Sequence, residues 1–181
     1  MKKISFFSFL FWALSACVST PNDNLDRGAL LQDKPEQSAI AALEFLVGDW
    51  AGPGVSYRDD GSEVSYRDTE YVRFDLDNKL LLINARGERS DGTTSYSLHT
   101  VIYYNLEKER YIYTPYSGAR EPRSFECTLN DTPQLVCYIA DNTYRLTFQR
   151  LPDGKWNEFG ERLIDGAWQK NFETILSAAG S

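Results

Sequence analysis

The sequence predicts an all-β fold: an antiparallel up-and-down β-barrel of about ten strands, with a short N-terminal helix at one end. Three observations lead there. Aromatics are abundant, with 11 Tyr, 10 Phe and 4 Trp, and these residues suit a pleated, half-buried surface. From residue 49 onward, ten strand-like runs alternate with turn chemistry. Every connection is short, which joins antiparallel neighbours, since parallel pairs need crossovers of about a dozen residues. A twisted open sheet of ten strands tends to curl or close, and closure removes its exposed edges.

The chain opens on a segment that does not belong to the barrel. Lys2 and Lys3 precede an apolar run from Ile4 to Leu14, interrupted only by serines. This run is too short to cross a bilayer core, which takes about 20 apolar residues. It fits the apolar region of a secretory signal. Leu14-Ser15-Ala16-Cys17 then resembles the lipobox of bacterial lipoproteins. The resemblance implies a diacylglycerol joined to the Cys17 thiol and cleavage on its amino side, removing residues 1–16. Two or three acyl chains give stable anchoring where one does not. Position 18 is Val rather than Asp, which under the sorting rule of such proteins points to the outer membrane, facing the periplasm. The alternative is an ordinary signal peptide with a chance cysteine.

Cleavage removes two lysines and no acid, so the formal charge of −7 becomes about −9. That acidity argues against nucleic acid or anionic lipid as a partner. Residues 17–37 read as the lipidated cysteine and a polar tether, with a root-mean-square reach of about 25 Å if flexible. Ser38 to Val47 reads as a helix, with Ser38 as a candidate cap and Ile40, Leu43, Leu46 and Val47 at helical spacing. Gly48 fits the position after its end.

The strand runs lie near 49–58, 63–75, 79–87, 93–105, 109–117, 121–129, 134–140, 143–151, 155–163 and 166–176. Asp60-Gly61, Asp77-Asn78, Asp91-Gly92, Asp153-Gly154 and Asp165-Gly166 mark turns, because Gly, Asn and Asp tolerate positive φ. Tyr144, Leu146 and Phe148 alternate with polar residues. Val64, Tyr66, Val72 and Phe74 share one parity, with Asp68 and Glu70 interrupting it. Cys127 and Cys137 flank the turn-rich Asn130–Pro133, so pairing about residue 132 would set them opposite one another. An exported chain meets an oxidising compartment, and this register suits a disulfide. Two reduced thiols on one hairpin are the alternative.

Gly48-Asp49-Trp50-Ala51-Gly52-Pro53-Gly54, entered from a short helix, resembles the opening of lipocalin-like (calycin) barrels. It is closer still to that of the DUF1579-type family and its nitrobindin relatives. Gly166-Ala167-Trp168-Gln169-Lys170-Asn171-Phe172 resembles their last strand. The likeness spans about residues 38 to 177, with recognisable motifs only at the two ends. It implies a barrel domain over those residues, with a cavity for a small apolar or amphipathic ligand. Trp50 would close the floor against the helix, and Gly52 and Gly54 would let the first strand bend. Nitrobindin-like members hold haem through a histidine in a late strand. Here the single histidine, His99, lies in the fourth run, so no cofactor is expected.

Candidate pocket residues are Tyr66, Arg86, His99, Tyr113, Phe148 and Trp168. His99 could serve as a general base, a ligand contact or a hydrogen-bonded structural histidine. Several arginines fall within strands; one or two pointing inward would favour a carboxylate ligand. Asp68 and Glu70, two apart, project to one side and could form an acid–base pair; a solvated outer face is the favoured reading. Asp75 to Asn78 reads as a hairpin turn rather than a calcium loop. The sequence contains no Gly-x-Ser-x-Gly elbow, zinc spacing or phosphate loop, so no catalytic residue is assigned. A ligand-binding lipoprotein is the leading reading. An interaction lipoprotein with a fully packed barrel is the alternative, and haem binding the weaker one.

Overall fold

A computed structural model describes residues 35–118 and 121–180. The signal segment, the Leu14–Cys17 motif with its lipidation site, and the tether up to residue 34 lie outside the described residues. Helix α1 runs Pro35–Ala41, followed by a 3₁₀ turn at Glu44–Leu46. Ten strands follow: β1 Gly48–Tyr57, β2 Glu63–Asp75, β3 Leu80–Glu88, β4 Thr94–Asn105, β5 Arg110–Tyr116, β6 Phe125–Leu129, β7 Gln134–Tyr138, β8 Tyr144–Arg150, β9 Trp156–Ile164 and β10 Ala167–Ala178. Each pairs antiparallel with its sequence neighbour, and β1 pairs with β10 to close the barrel. The expected fold class is the observed one.

The helical segment differs from its expected form. Ser38 lies inside α1 rather than capping it, and the single expected helix is two pieces. Proline is well placed in a first helical turn because its missing N–H has no helical partner there. The break lets Ile40, Leu43 and Leu46 all reach complete burial, which one straight helix lying across the barrel end does not require. Tyr111 Oη donates to the Ala39 carbonyl at 2.8 Å, and Gln37 Nε2 to the Asp77 carbonyl in the β2–β3 turn at 2.8 Å. Trp50 Nε1 donates to the Leu46 carbonyl at 2.9 Å. These bonds fasten the helical segment across one end, and Trp50 is part of that floor.

Side-chain alternation sets the inside. Trp50, Tyr66, Val72, Leu81, Ile83, Ile102, Tyr113, Phe148, Trp156 and Leu176 are all buried. The hairpins repeat one local device. Asp60, Asp91 and Asp141 each accept from the backbone N–H and the hydroxyl two residues on, at Ser62, Thr93 and Thr143. Asp-x-Ser/Thr therefore closes the turn with its own side chain while Gly61, Gly92 or Asn142 takes positive φ. The same hydrogen bonds hold all three aspartates below the usual carboxylate pKa. Asp75–Asn78 forms the β2–β3 turn, with positive φ at Leu76, Asp77 and Asn78.

Cys127 and Cys137 are directly opposed on β6 and β7, and a disulfide joins them. Both point inward and are fully buried. Outside, arginines pair with the acidic surface: Arg73 with Asp49, Arg86 with Glu88, Arg145 with Glu161.

Candidate functional site

The interior has two levels. Next to α1 it is solid: Trp50 and Trp156 meet edge to face with centroids 6.0 Å apart, and Phe148 lies 6.4 Å from Trp156. Above this floor the barrel is hollow. A cavity of about 440 Å³ is lined by Tyr66, Glu70, Ile83, Tyr96, Leu98, Thr100, Tyr113, Phe148 and Glu158, and it opens past Arg58, Asp59, Arg162 and Phe172. That volume falls in the range of small-molecule sites, about 300–1,000 Å³. A fully packed interior is not what the chain forms.

Room for the cavity's side chains comes from glycines at neighbouring inward positions. Gly54 of β1 faces Tyr66 of β2, and Gly87 of β3 faces Tyr96 of β4. A Cβ at Gly54 would stand 2.2 Å from the Tyr66 ring, and one at Gly87 2.4 Å from the Tyr96 ring. The two tyrosines pack edge to face with centroids 5.5 Å apart. Asp68, next after Tyr66 in the inward series of β2, has Gly52 on one flank and Gly87 on the other.

Three carboxyl groups are buried in this interior. Asp68 is 0% exposed, Glu70 2% and Glu158 9%. Both Asp68 oxygens and Glu70 Oε2 lack a well-formed hydrogen bond among the described residues. Burial disfavours the charged forms. It pushes Asp68 up to about 6, with the Tyr96 hydroxyl and the Thr69 N–H acting in the other direction. It pushes Glu158 up to about 8, with repulsion from Asp68 adding to the rise. Glu70 is raised well above its ordinary value by burial, by the negative charge of Glu158 and Asp68, and by a hydrogen bond with Glu158. Burial and the same acids also raise Tyr66 and Tyr96. The three acids interact closely enough to titrate as a unit. No Lys, Arg or His among the described residues lines the cavity at their level; Arg58 and Arg162 stand at the mouth, where Arg162 Nη1 is 2.8 Å from Asp59.

The solvated outer face expected for Asp68 and Glu70 is therefore corrected. They share parity with Tyr66 and Val72, which face the core, and strand geometry carries the acids in with them. Of the candidate pocket residues, Tyr66, Tyr113 and Phe148 line the cavity. The other three do not. Arg86 is outward on β3 and donates to Thr94 Oγ1 at 2.9 Å. His99 is exposed, its Nδ1 2.7 Å from Asn84 Oδ1. Trp168 sits on the outer face, with the Arg145 guanidinium 4.4 Å from its ring centroid. Arg86 and His99 fall on the outward parity of their strands, while Trp168 shares the parity of the inward Phe172, Thr174 and Leu176 and is turned outward by the β-bulge between Lys170 and Phe172. Glu158 and Tyr96 had no place in the sequence reading. The signal for Glu158 was its parity with Trp156 and Gly160.

No protein-family model and no curated protein matches the sequence. Among solved structures, the chain is similar to the crystal structure of Rv2717c from M. tuberculosis. The two share 13% identity with a TM-score of 0.57, over 77% of this chain and 96% of that one. The fold is broadly calycin-like. At this identity the likeness concerns the fold alone.

Proposed function

We propose that this chain is a lipid-anchored protein of the bacterial envelope that binds a small amphipathic molecule inside its barrel. The hollow upper half of the barrel carries the reading: about 440 Å³, closed below by Trp50 and the helical segment and open at the other end. Aromatic walls supply apolar contact, while Glu70, Glu158 and Thr100 offer polar partners, the composition expected of a ligand site. The helix-to-Gly48-x-Trp50 opening supports a relationship to DUF1579-type, nitrobindin-like barrels. His99 faces outward, so it offers a haem in the cavity no axial ligand.

The anchor rests on Leu14-Ser15-Ala16-Cys17, and the outer-membrane, periplasmic assignment on Val18. Two experiments test the two halves. Native mass spectrometry of the full chain after mild extraction should show a bound small molecule or uptake of a hydrophobic dye; a barrel that carries none and excludes the dye refutes the binding half. Cys17→Ser should abolish incorporation of radiolabelled acyl chains and release the protein from membranes. Unchanged labelling refutes the anchor.

A second reading is favoured by the acids themselves. Burial pushes Asp68, next to the cavity, up to about 6 and Glu158, which lines it, up to about 8, the range in which general acids and bases operate at neutral pH. Recovery of the bound molecule chemically unchanged after prolonged incubation assigns carriage; conversion assigns catalysis.

A further inference from the structure

Resting on the reading of the cavity as a ligand site, we propose that its ligand carries a positively charged amine on an apolar body, with the ammonium seated against the Glu70–Glu158 carboxyl pair. Three observations carry this. Glu70 on β2 and Glu158 on β9 line the cavity as a pair within hydrogen-bonding reach of one another, with Asp68 close by, and all three are at least nine-tenths buried. Glu70 Oε2 is aimed into this interior with no hydrogen-bond partner among the described residues. Among the described residues, the only basic side chains along the cavity are Arg58 and Arg162 at its mouth. The buried acids thus have no counter-charge at their own level. An ammonium supplies three donors and that charge in one group.

The walls suit the same ligand. Tyr66, Tyr96, Tyr113 and Phe148 surround the acids, and aromatic faces attract a cation, more strongly where water is excluded. Aliphatic contact from Ile83 and Leu98 accommodates an alkyl or arylalkyl body. A carboxylate ligand would meet the reverse situation, a negative charge brought against three acids. The two arginines at the mouth do not stand at the level of the acids, and Asp59 already holds one of them, Arg162.

The inference has a proton signature. The groups facing the acids are Tyr66 on β2, Tyr96 on β4 and Tyr113 on β5, with Tyr144, Arg58, Asp59 and Arg162 toward the mouth. The tyrosines are all raised above their ordinary value and stay neutral below pH 9. Glu158, pushed up to about 8, holds a proton at neutral pH, and burial and the neighbouring acids raise Glu70 in the same direction. An incoming cation favours their ionised forms, so binding releases a proton, and affinity rises with pH by up to about tenfold per unit for each proton released. An alkylammonium, like a lysine side chain, keeps its charge throughout this range.

Isothermal titration of the full chain with n-octylamine, n-octanol and n-octanoate tests the proposal, run in phosphate and in Tris at pH 6, 7 and 8. The amine should bind at least tenfold more tightly than the other two at pH 7. Its affinity should rise between pH 6 and 8, and the heats in the two buffers should report proton release. Glu70→Gln and Glu158→Gln should each reduce the preference for amine over alcohol at least fivefold; the wild-type proton release does not depend on either variant folding. Octanol or octanoate binding as tightly as the amine, or amine binding without proton release, overturns the inference and leaves the cavity reading standing. Exclusion of all three probes together with a hydrophobic dye overturns both.

Discussion

Raising the pH from 5 to 8 should destabilise this protein, and the slope can be worked from the buried acids. The ordinary pKa of Glu70 and Glu158 is 4.5, and that of Asp68 is 3.8. In the unfolded chain all three are ionised by pH 6. In the barrel burial pushes Asp68 up to about 6 and Glu158 up to about 8, and it raises Glu70 well above its ordinary value. The folded state therefore binds more protons than the unfolded state, so stability falls with pH. It is greatest below the unfolded values and is lost as pH climbs through the folded ones. Each retained proton contributes about 1.4 kcal/mol per pH unit. The proton retained on Glu158 alone gives a loss of about 1.4 kcal/mol between pH 6 and 7, tapering as Glu158 ionises near 8, and Glu70, raised in the same direction, adds to the loss. The exposed turn aspartates, Asp60, Asp91, Asp141 and Asp153, have lowered pKa values. Their contribution has the opposite sign, is present at neutral pH, and is lost only as pH falls below about 4. Maximum stability should then lie near pH 4–5, below the usual range of about 5 to 8. Urea unfolding followed by tryptophan fluorescence at pH 5, 6, 7 and 8 measures the slope. Glu158→Gln, which keeps shape and removes the titration, should lower the slope between pH 6 and 7 by about 1.4 kcal/mol per pH unit. A wild-type profile that is flat or rising between pH 5 and 8 refutes the reasoning.

Other perturbations have equally definite outcomes. Reducing the Cys127–Cys137 bond opens a loop of sequence separation 10 and should cost about 2.7 kcal/mol on the chain-entropy model, measured as the difference between urea curves with and without reductant. Gly54→Ala places a Cβ 2.2 Å from the Tyr66 ring and 2.9 Å from Thr174 Cγ2; it should destabilise by about 1–3 kcal/mol as Tyr66 is forced to move, read by thermal unfolding, and an unchanged midpoint contradicts the close approach. His99→Ala should leave dye uptake into the barrel unchanged, since the ring lies on the outer face against Asn84; a marked loss of uptake would place the pocket elsewhere.

The fold was legible because its signals are local. Asp-Gly and Asn turns and runs of strand-favouring residues marked all ten strands, and the two cysteines met because their hairpin is centred near residue 132. Trp50 could be placed at the floor because helix, glycine and tryptophan occur together in sequence. The cavity was legible only in part. Tyr66, Tyr113 and Phe148 are aromatic and inward, so composition and parity agreed on them. Asp68 and Glu70 set the two against each other: charge argued for solvent while parity with Tyr66 and Val72 argued for the core, and the pleat decided. Glu158 lies 90 residues after Asp68, and only barrel closure brings β9 across from β2. Arg86 and His99 were chosen for their chemistry, and a one-residue offset in a strand of period two puts such side chains outside.

A crystal structure of the full chain soaked with n-octylamine tests the central claim most directly. It should show the hollow upper barrel occupied, with the alkyl chain among Tyr66, Tyr113 and Phe148 and the nitrogen within hydrogen-bonding distance of Glu70 or Glu158. A barrel whose interior is filled by its own side chains, or an amine bound only on the outer face, would contradict it.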